Sequence, residues 1–186
     1  VVERDNRRAP NADLYSYDVL DVGSLGTVSF ADTTDQLGNP NPSNSRAAAV
    51  ADFDEDGFLD VVVANYGEIN NAYFYNRVQG FEDVTSQVLG VQGRDNNTHV
   101  AVADFDGDDY LDIVFATEMG QNRLYLNNQR GRFTDVTFEL IDTLGQAHMP
   151  EDDWGTRCIV PDDFDADGDM DLFVVNNATG GQQNRL

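Results

Sequence analysis

The chain has 186 residues, enough for a domain with a real core, and carries 34 acidic residues against 11 basic ones, a formal net charge of −23. That balance excludes nucleic acid and anionic membrane surfaces as partners, since both need a basic face. Plain acidic solubility and cation binding remain, and clustering favours the second, because three short loops hold 15 of the 34 acids.

No apolar run approaches the roughly 20 residues of a membrane span. The opening residues, VVERDNRRAP, are polar and form no signal peptide. Without an initiator methionine the chain is expected to be a processed or partial product, with any targeting segment out of view. One cysteine, Cys158, excludes a disulfide within the chain.

In chain order, residues 1–27 carry no assignable pattern. From Val28 the elements repeat. SFADTTDQLG, from Ser29, reads as a strand. AAAVADF (Ala47–Phe53) is a strand of small residues that runs into an acidic loop. LDVVVAN (Leu59–Asn65) is β-branched, NAYFYN (Asn71–Asn76) is aromatic, and FEDVTSQ (Phe81–Gln87) alternates apolar and polar residues. These are strand signals bounded by Asn, Gly and Asp turns, and no run of helical period interrupts them.

The set then recurs. AVADFDGDDYLDIVFAT (Ala101–Thr117) and IVPDDFDADGDMDLFVVNN (Ile159–Asn177) match Ala49–Asn65, and their first aspartates step by 52 and 59 residues. NRLYLNNQRG from Asn122 and RFTDVTFELI from Arg132 repeat the third and fourth elements. Four short antiparallel strands per roughly 50 residues is the blade of a β-propeller. Residues 28–186 therefore read as an all-β segment of about three to four blades. It is expected to be incomplete at its C-terminus, where NRL (Asn184–Leu186) breaks off a third element. The remaining blades would come from the same or another chain. Small residues in each first strand suit a crowded central channel, and Pro161 suits an edge strand.

Each acidic loop, numbered from its first aspartate, has Asp at positions 1, 3, 5 and 9. These are Asp52, Asp54, Asp56 and Asp60; Asp104, Asp106, Asp108 and Asp112; and Asp163, Asp165, Asp167 and Asp171. Position 7 varies (Phe58, Tyr110, Asp169), which fits a ligand acting through its backbone carbonyl. Such an all-oxygen, six- to eight-ligand cage suits Ca²⁺, about three ions in all, whereas Zn²⁺ and Cu²⁺ want His or Cys. An EF-hand is excluded: position 12, where it needs Glu, is Val63, Phe115 or Val174. One Asp-Gly-rich loop is as readily a plain surface turn; three copies with all twelve aspartates in place favour a ligand set.

The three loop motifs with their following strands resemble the FG-GAP/VCBS repeats of integrin α-subunit-like β-propellers. NRLYLNNQRGRFTDVT and Trp154–Gly155 resemble the cartilage acidic protein type of that repeat. The resemblance implies a seven-bladed propeller, a Ca²⁺ in each loop between the first two strands of a blade, and secreted or cell-surface adhesive or scaffolding roles. The family pattern has Gly at position 6, as in Gly57 and Gly168. The second loop has Asp109 there and Gly107 at position 4, so that loop is expected to be intact but strained.

Other features read more plainly. Asn96 and Asn177 begin glycosylation sequons. His99 and His148 stand alone, and His99 is expected to line the channel, with no His or Cys neighbour for a metal. Cys158 reads as a small filler. The insertion Gly145–Arg157 carries Trp154, either a partner anchor or an inter-blade residue. Tyr73, Phe74, Tyr75, Tyr125 and Phe133 read as inter-blade core. No catalytic group is visible, so the expectation is a non-enzymatic segment serving adhesion, scaffolding or protein–protein interaction. Its alternatives are a carbohydrate-binding or accessory propeller of an extracellular enzyme and a filament subunit. The protein or glycan partner is left unspecified.

Overall fold

Short β-branched and aromatic runs between Gly, Asn and Asp turns favour strands that pair with their immediate neighbours in sequence. A computed structural model describes residues 17–19, 30–32, 43–138, 151–152 and 155–177. His148, Trp154, Thr179 and Asn184 lie outside the described residues.

The strands are β1 (Tyr17–Val19), β2 (Phe30–Asp32), β3 (Ser45–Ala51), β4 (Asp60–Asn65), β5 (Asn71–Asn76) and β6 (Gly80–Asp83). One helical turn, α1 (Thr85–Val88), follows. Then come β7 (Asn97–Ala103), β8 (Asp112–Thr117), β9 (Gly120–Gln121), β10 (Arg123–Asn127), β11 (Phe133–Asp135), β12 (Glu151–Asp152), β13 (Thr156–Asp162) and β14 (Asp171–Asn176).

Two complete antiparallel sheets have the order β3-β4-β5-β6 and β7-β8-β10-β11. The hairpin β13-β14 repeats their first two strands. The pair β1-β2 has the register of a third and fourth strand: Tyr17 faces Asp32 as Tyr73 faces Asp83 and Tyr125 faces Asp135. The all-β, four-stranded repeat read from the sequence is thus present.

The sheets stack face to face through strand alternation. On β4, Val62 and Ala64 join Ile113 and Phe115 of β8 in one core, with Phe53, Tyr125 and Phe133. On β8 the alternate residues, Val114 and Ala116, form a second core with Ile159 of β13 and Val174 of β14. Both faces of β8 are covered, which is why all six of its residues are buried and its sequence is nearly continuous in apolar residues. Phe53 sits at the first junction, edge-on to Phe133 with centroids 5.5 Å apart and stacked on Phe74 at 6.3 Å.

One local reading changes. FEDVTSQ is not one strand: β6 ends at Asp83 and the chain turns into α1. The cause is Thr85, whose hydroxyl accepts from Ala72 N–H at 3.0 Å and donates to Asp83 Oδ1 at 2.6 Å. That side chain replaces the next ladder partner, as Thr137 does for Leu124 N–H in the second sheet. The first strand of each repeat carries a register shift near its start, at Ser45/Ala47, Asn97/His99 and Thr156/Cys158. Such a bulge re-aims the side chain that follows it.

Candidate metal centre

The three acidic loops join the first two strands of each repeat: β3 to β4, β7 to β8 and β13 to β14. Adjacent carboxylates repel, so each loop needs something to hold them together. Its own backbone N–H groups do part of this. In the first loop Asp52 accepts from Asp56 N and Gly57 N, Asp54 from Asp56 N, and Asp56 from Phe58 N. The third loop repeats all four bonds with Asp163, Asp165 and Asp167. In the second, Asp104 accepts from Gly107, Asp108 and Asp109, and Asp108 from Tyr110. The carboxylate at position 1 thereby gathers the following residues into a tight turn.

This curl needs two left-handed residues, at positions 4 and 6. Position 6 is Gly57 (φ 89°), Asp109 (71°) and Gly168 (100°); position 4 is Glu55 (60°), Gly107 (75°) and Ala166 (61°). Asp109 is left-handed, as expected, yet the second loop is not singled out. Every loop has one glycine and one non-glycine in the left-handed region, and the second has exchanged their order.

The aspartate at position 9 brackets the turn. Asp60 Oδ2 accepts from Phe53 N at 3.0 Å, and its Oδ1 accepts from Tyr75 N on β5 at 2.9 Å. Asp112 makes the same pair with Phe105 N and Asn127 N. Asp171 accepts from Phe164 N. Asp60 and Asp112 are 1% and 0% exposed. Loss of water pushes both carboxyls up to about 6, against the lowering effect of these hydrogen bonds. Burial also raises Asp54 and Asp106, with neighbouring aspartates adding to it; at Asp165 the charge of Asp167 comes first.

Three carboxylates converge in each loop, with one oxygen apiece and all three within 4.8 Å of one another. They are Asp52, Asp54 and Asp60; Asp104, Asp106 and Asp108; and Asp163, Asp165 and Asp171. Asp56, Asp112 and Asp167 stand outside these triplets. The side chain of Phe58 packs on Tyr75 and under Arg77, with ring centroids 5.4 Å apart and the guanidinium 4.4 Å from the ring. Anchoring it there leaves only its backbone to serve the loop. Hard, anionic oxygens with spare lone pairs are a donor set for a hard divalent cation.

The first loop is also held from the next repeat. Asn127 Nδ2 donates to Phe53 O at 2.9 Å and Leu111 O at 3.1 Å, and Gly131 N donates to Asn127 Oδ1. The turn after β10 thus lies against the loop before β4. Nothing local in the sequence signals this bracket.

One pairing overturns an expectation. His99 has a cysteine neighbour: Cys158 Sγ lies 3.8 Å from His99 Nε2. The two hold the same position in successive repeats, and adjacency of the repeats was the missing fact.

A family model described as FG-GAP-like repeat matches residues 52–115 and 104–174. Each match runs from the first aspartate of one loop into the second strand of the next repeat. Cartilage acidic protein 1 of Mus musculus is 29% identical over 186 residues, covering 96% of this chain and 27% of its own length. The Homo sapiens protein of that name is 29% identical, with coverages of 96% and 26%. That of Xenopus tropicalis is 28% identical over 165 residues, with coverages of 84% and 25%. The chain spans about a quarter of the length of these curated relatives.

Proposed function

The chain belongs to the FG-GAP-like repeat family, and from that premise we propose that it is a non-enzymatic, calcium-binding β-propeller segment of a secreted or cell-surface protein. The observation that carries this is the convergence of three carboxylates in every acidic loop. The residues that would hold the ion are the aspartates at positions 1, 3, 5 and 9, with the carbonyls of Phe58, Tyr110 and Asp169. A bound Ca²⁺ supplies positive charge where the fold gathers negative charge, and fixes the turn between the first two strands. The repeats then form blades of one propeller, seven in a closed ring, whose loops are rigid enough to serve adhesion, scaffolding or protein–protein interaction.

Extracellular calcium modules bind at about 10⁻⁴–10⁻³ M, and binding the native state alone raises stability by mass action. Calorimetric titration of the chelator-treated chain with Ca²⁺ should give about three sites in that range, in line with one ion per loop. The melting midpoint should rise when millimolar calcium replaces EDTA. A midpoint identical in the two buffers would exclude the proposal.

A further inference from the structure

Asn127, the last residue of β10, is 3% exposed and is bonded to two acidic loops at once. Its backbone N–H donates to Asp112 Oδ1 at 2.7 Å, and Nδ2 donates to Leu111 O at 3.1 Å. These are positions 9 and 8 of the second loop. The same Nδ2 donates to Phe53 O at 2.9 Å, which is position 2 of the first loop and belongs to the peptide unit leading into Asp54. Asn127 Oδ1 accepts from Gly131 N at 3.1 Å, so the carboxamide has its oxygen on a donor and its nitrogen on two acceptors. In the first repeat the corresponding residue is Tyr75. Its N–H makes the equivalent bond to Asp60, but its ring packs on Phe58 and Phe81. The amide bridge is thus a feature of the junction between the first and second repeats. Among the described residues, the side-chain hydrogen bonds of the third loop stay within its own hairpin.

A residue committed to both loops links their order. A cation in the first loop fixes Asp54 and the peptide before it, which holds Phe53 O on Nδ2. Asn127 then stays where its N–H orients Asp112. The second ion finds that ordering already done and loses less conformational entropy on binding. Resting on calcium as the occupant of these loops, we propose that Asn127 is a positioning residue that couples the first and second sites, each ion tightening the other's. Linkage makes the effect reciprocal, and such coupling is commonly about 5- to 150-fold in affinity. Repulsion between the two cations acts in the opposite direction, but salt at about 0.15 M screens exposed charges beyond about 8 Å. Buried hydrogen bonds are not weakened in that way.

The test is calorimetric titration of the full chain with Ca²⁺ in KCl at about that ionic strength. Asp163→Asn with Asp165→Asn disables the third loop and leaves two sites. Adding Asp104→Asn with Asp106→Asn leaves the first loop alone, and adding Asp52→Asn with Asp54→Asn instead leaves the second alone. The product of the two constants in the two-site protein should exceed the product of the single-site constants by about fivefold or more. Asn127→Leu removes the carboxamide but keeps the volume and the backbone N–H. Placed in each background it should abolish the excess, while the third loop, left alone by disabling the other two, keeps its affinity. A general loosening of the fold would weaken the third loop as well. An excess that survives Asn127→Leu, in protein shown to be folded by its melting curve, would overturn the role of Asn127. Absence of any excess with Asn127 in place overturns the coupling, whether or not Asn127→Leu folds. Loops that bind calcium independently overturn the coupling alone, whereas no binding at any loop overturns the calcium function with it.

Discussion

Asp60 and Asp54 belong to one carboxylate triplet but are held differently, and this separates a candidate ligand that also braces the fold from one that does not. Asp60 is buried and accepts Phe53 N–H and Tyr75 N–H, so it is part of the fold whether or not a cation is present. Asp54 accepts Asp56 N–H at 3.2 Å, a bond within the loop rather than to a neighbouring strand. Asp60→Ala should cost about 2–4 kcal/mol in urea unfolding even in EDTA, because two backbone donors lose their acceptor. Asp54→Ala should abolish the calcium increment of its loop yet leave the EDTA stability unchanged or slightly higher, since it removes a repelling charge. Equal losses in EDTA would remove the distinction. Backbone strain is as local. Ala166 is left-handed at φ 61° and has no polar side chain to compensate. Ala166→Gly should therefore stabilise the chain by about 0.5–1 kcal/mol, more than Asp109→Gly does, as compared in paired melts.

At the scale of elements, the turn between β10 and β11 ties two repeats together. Gly131 is left-handed at φ 64°, and a Cβ there would fall 2.4 Å from Phe74 Cε2 and 3.1 Å from Asp54 Cβ. The contact is with the first acidic loop itself. Gly131→Ala should destabilise by about 2–4 kcal/mol, through the left-handed penalty and overpacking together. It should also weaken calcium binding at the first loop more than at the others. Denaturant titration with and without calcium measures both effects, and a loss under about 1 kcal/mol would mean that Phe74 simply moves aside. The paired motifs Asp83-Val84-Thr85 and Asp135-Val136-Thr137 show the same economy within a sheet. Each threonine supplies the acceptor for a third-strand N–H while its aspartate fixes the turn.

For the whole molecule, the net charge of −23 and the buried carboxyls act in the same direction. Asp60 and Asp112 titrate near 6 in the fold against an ordinary value of 3.8. Below about pH 4 both states hold the proton and the full contribution to stability is present; it is lost as pH rises through 6, because the unfolded chain releases the proton first. Metal-free protein should therefore melt lower at pH 7 than at pH 5, and calcium should remove most of that difference. A metal-free midpoint that rises from pH 5 to 7 would contradict the burial argument. Strand periodicity, the four-strand repeat and the Asp spacing were all legible in the sequence, because each is a short-range pattern copied along the chain. The end of β6 at Asp83 was not, since Thr85 competes with the ladder through a hydrogen bond that composition does not reveal. Nor was it visible that position 9 brackets the fold, that each loop has one strained residue, or that Asn127 reaches Phe53. The meeting of His99 with Cys158 was equally hidden. By itself, the sequence determined the repeat and the chemistry of its loops. Only tertiary structure decided which carboxylates converge and which side chains meet across repeats, because those contacts join residues tens of positions apart, through the stacking of one sheet on the next.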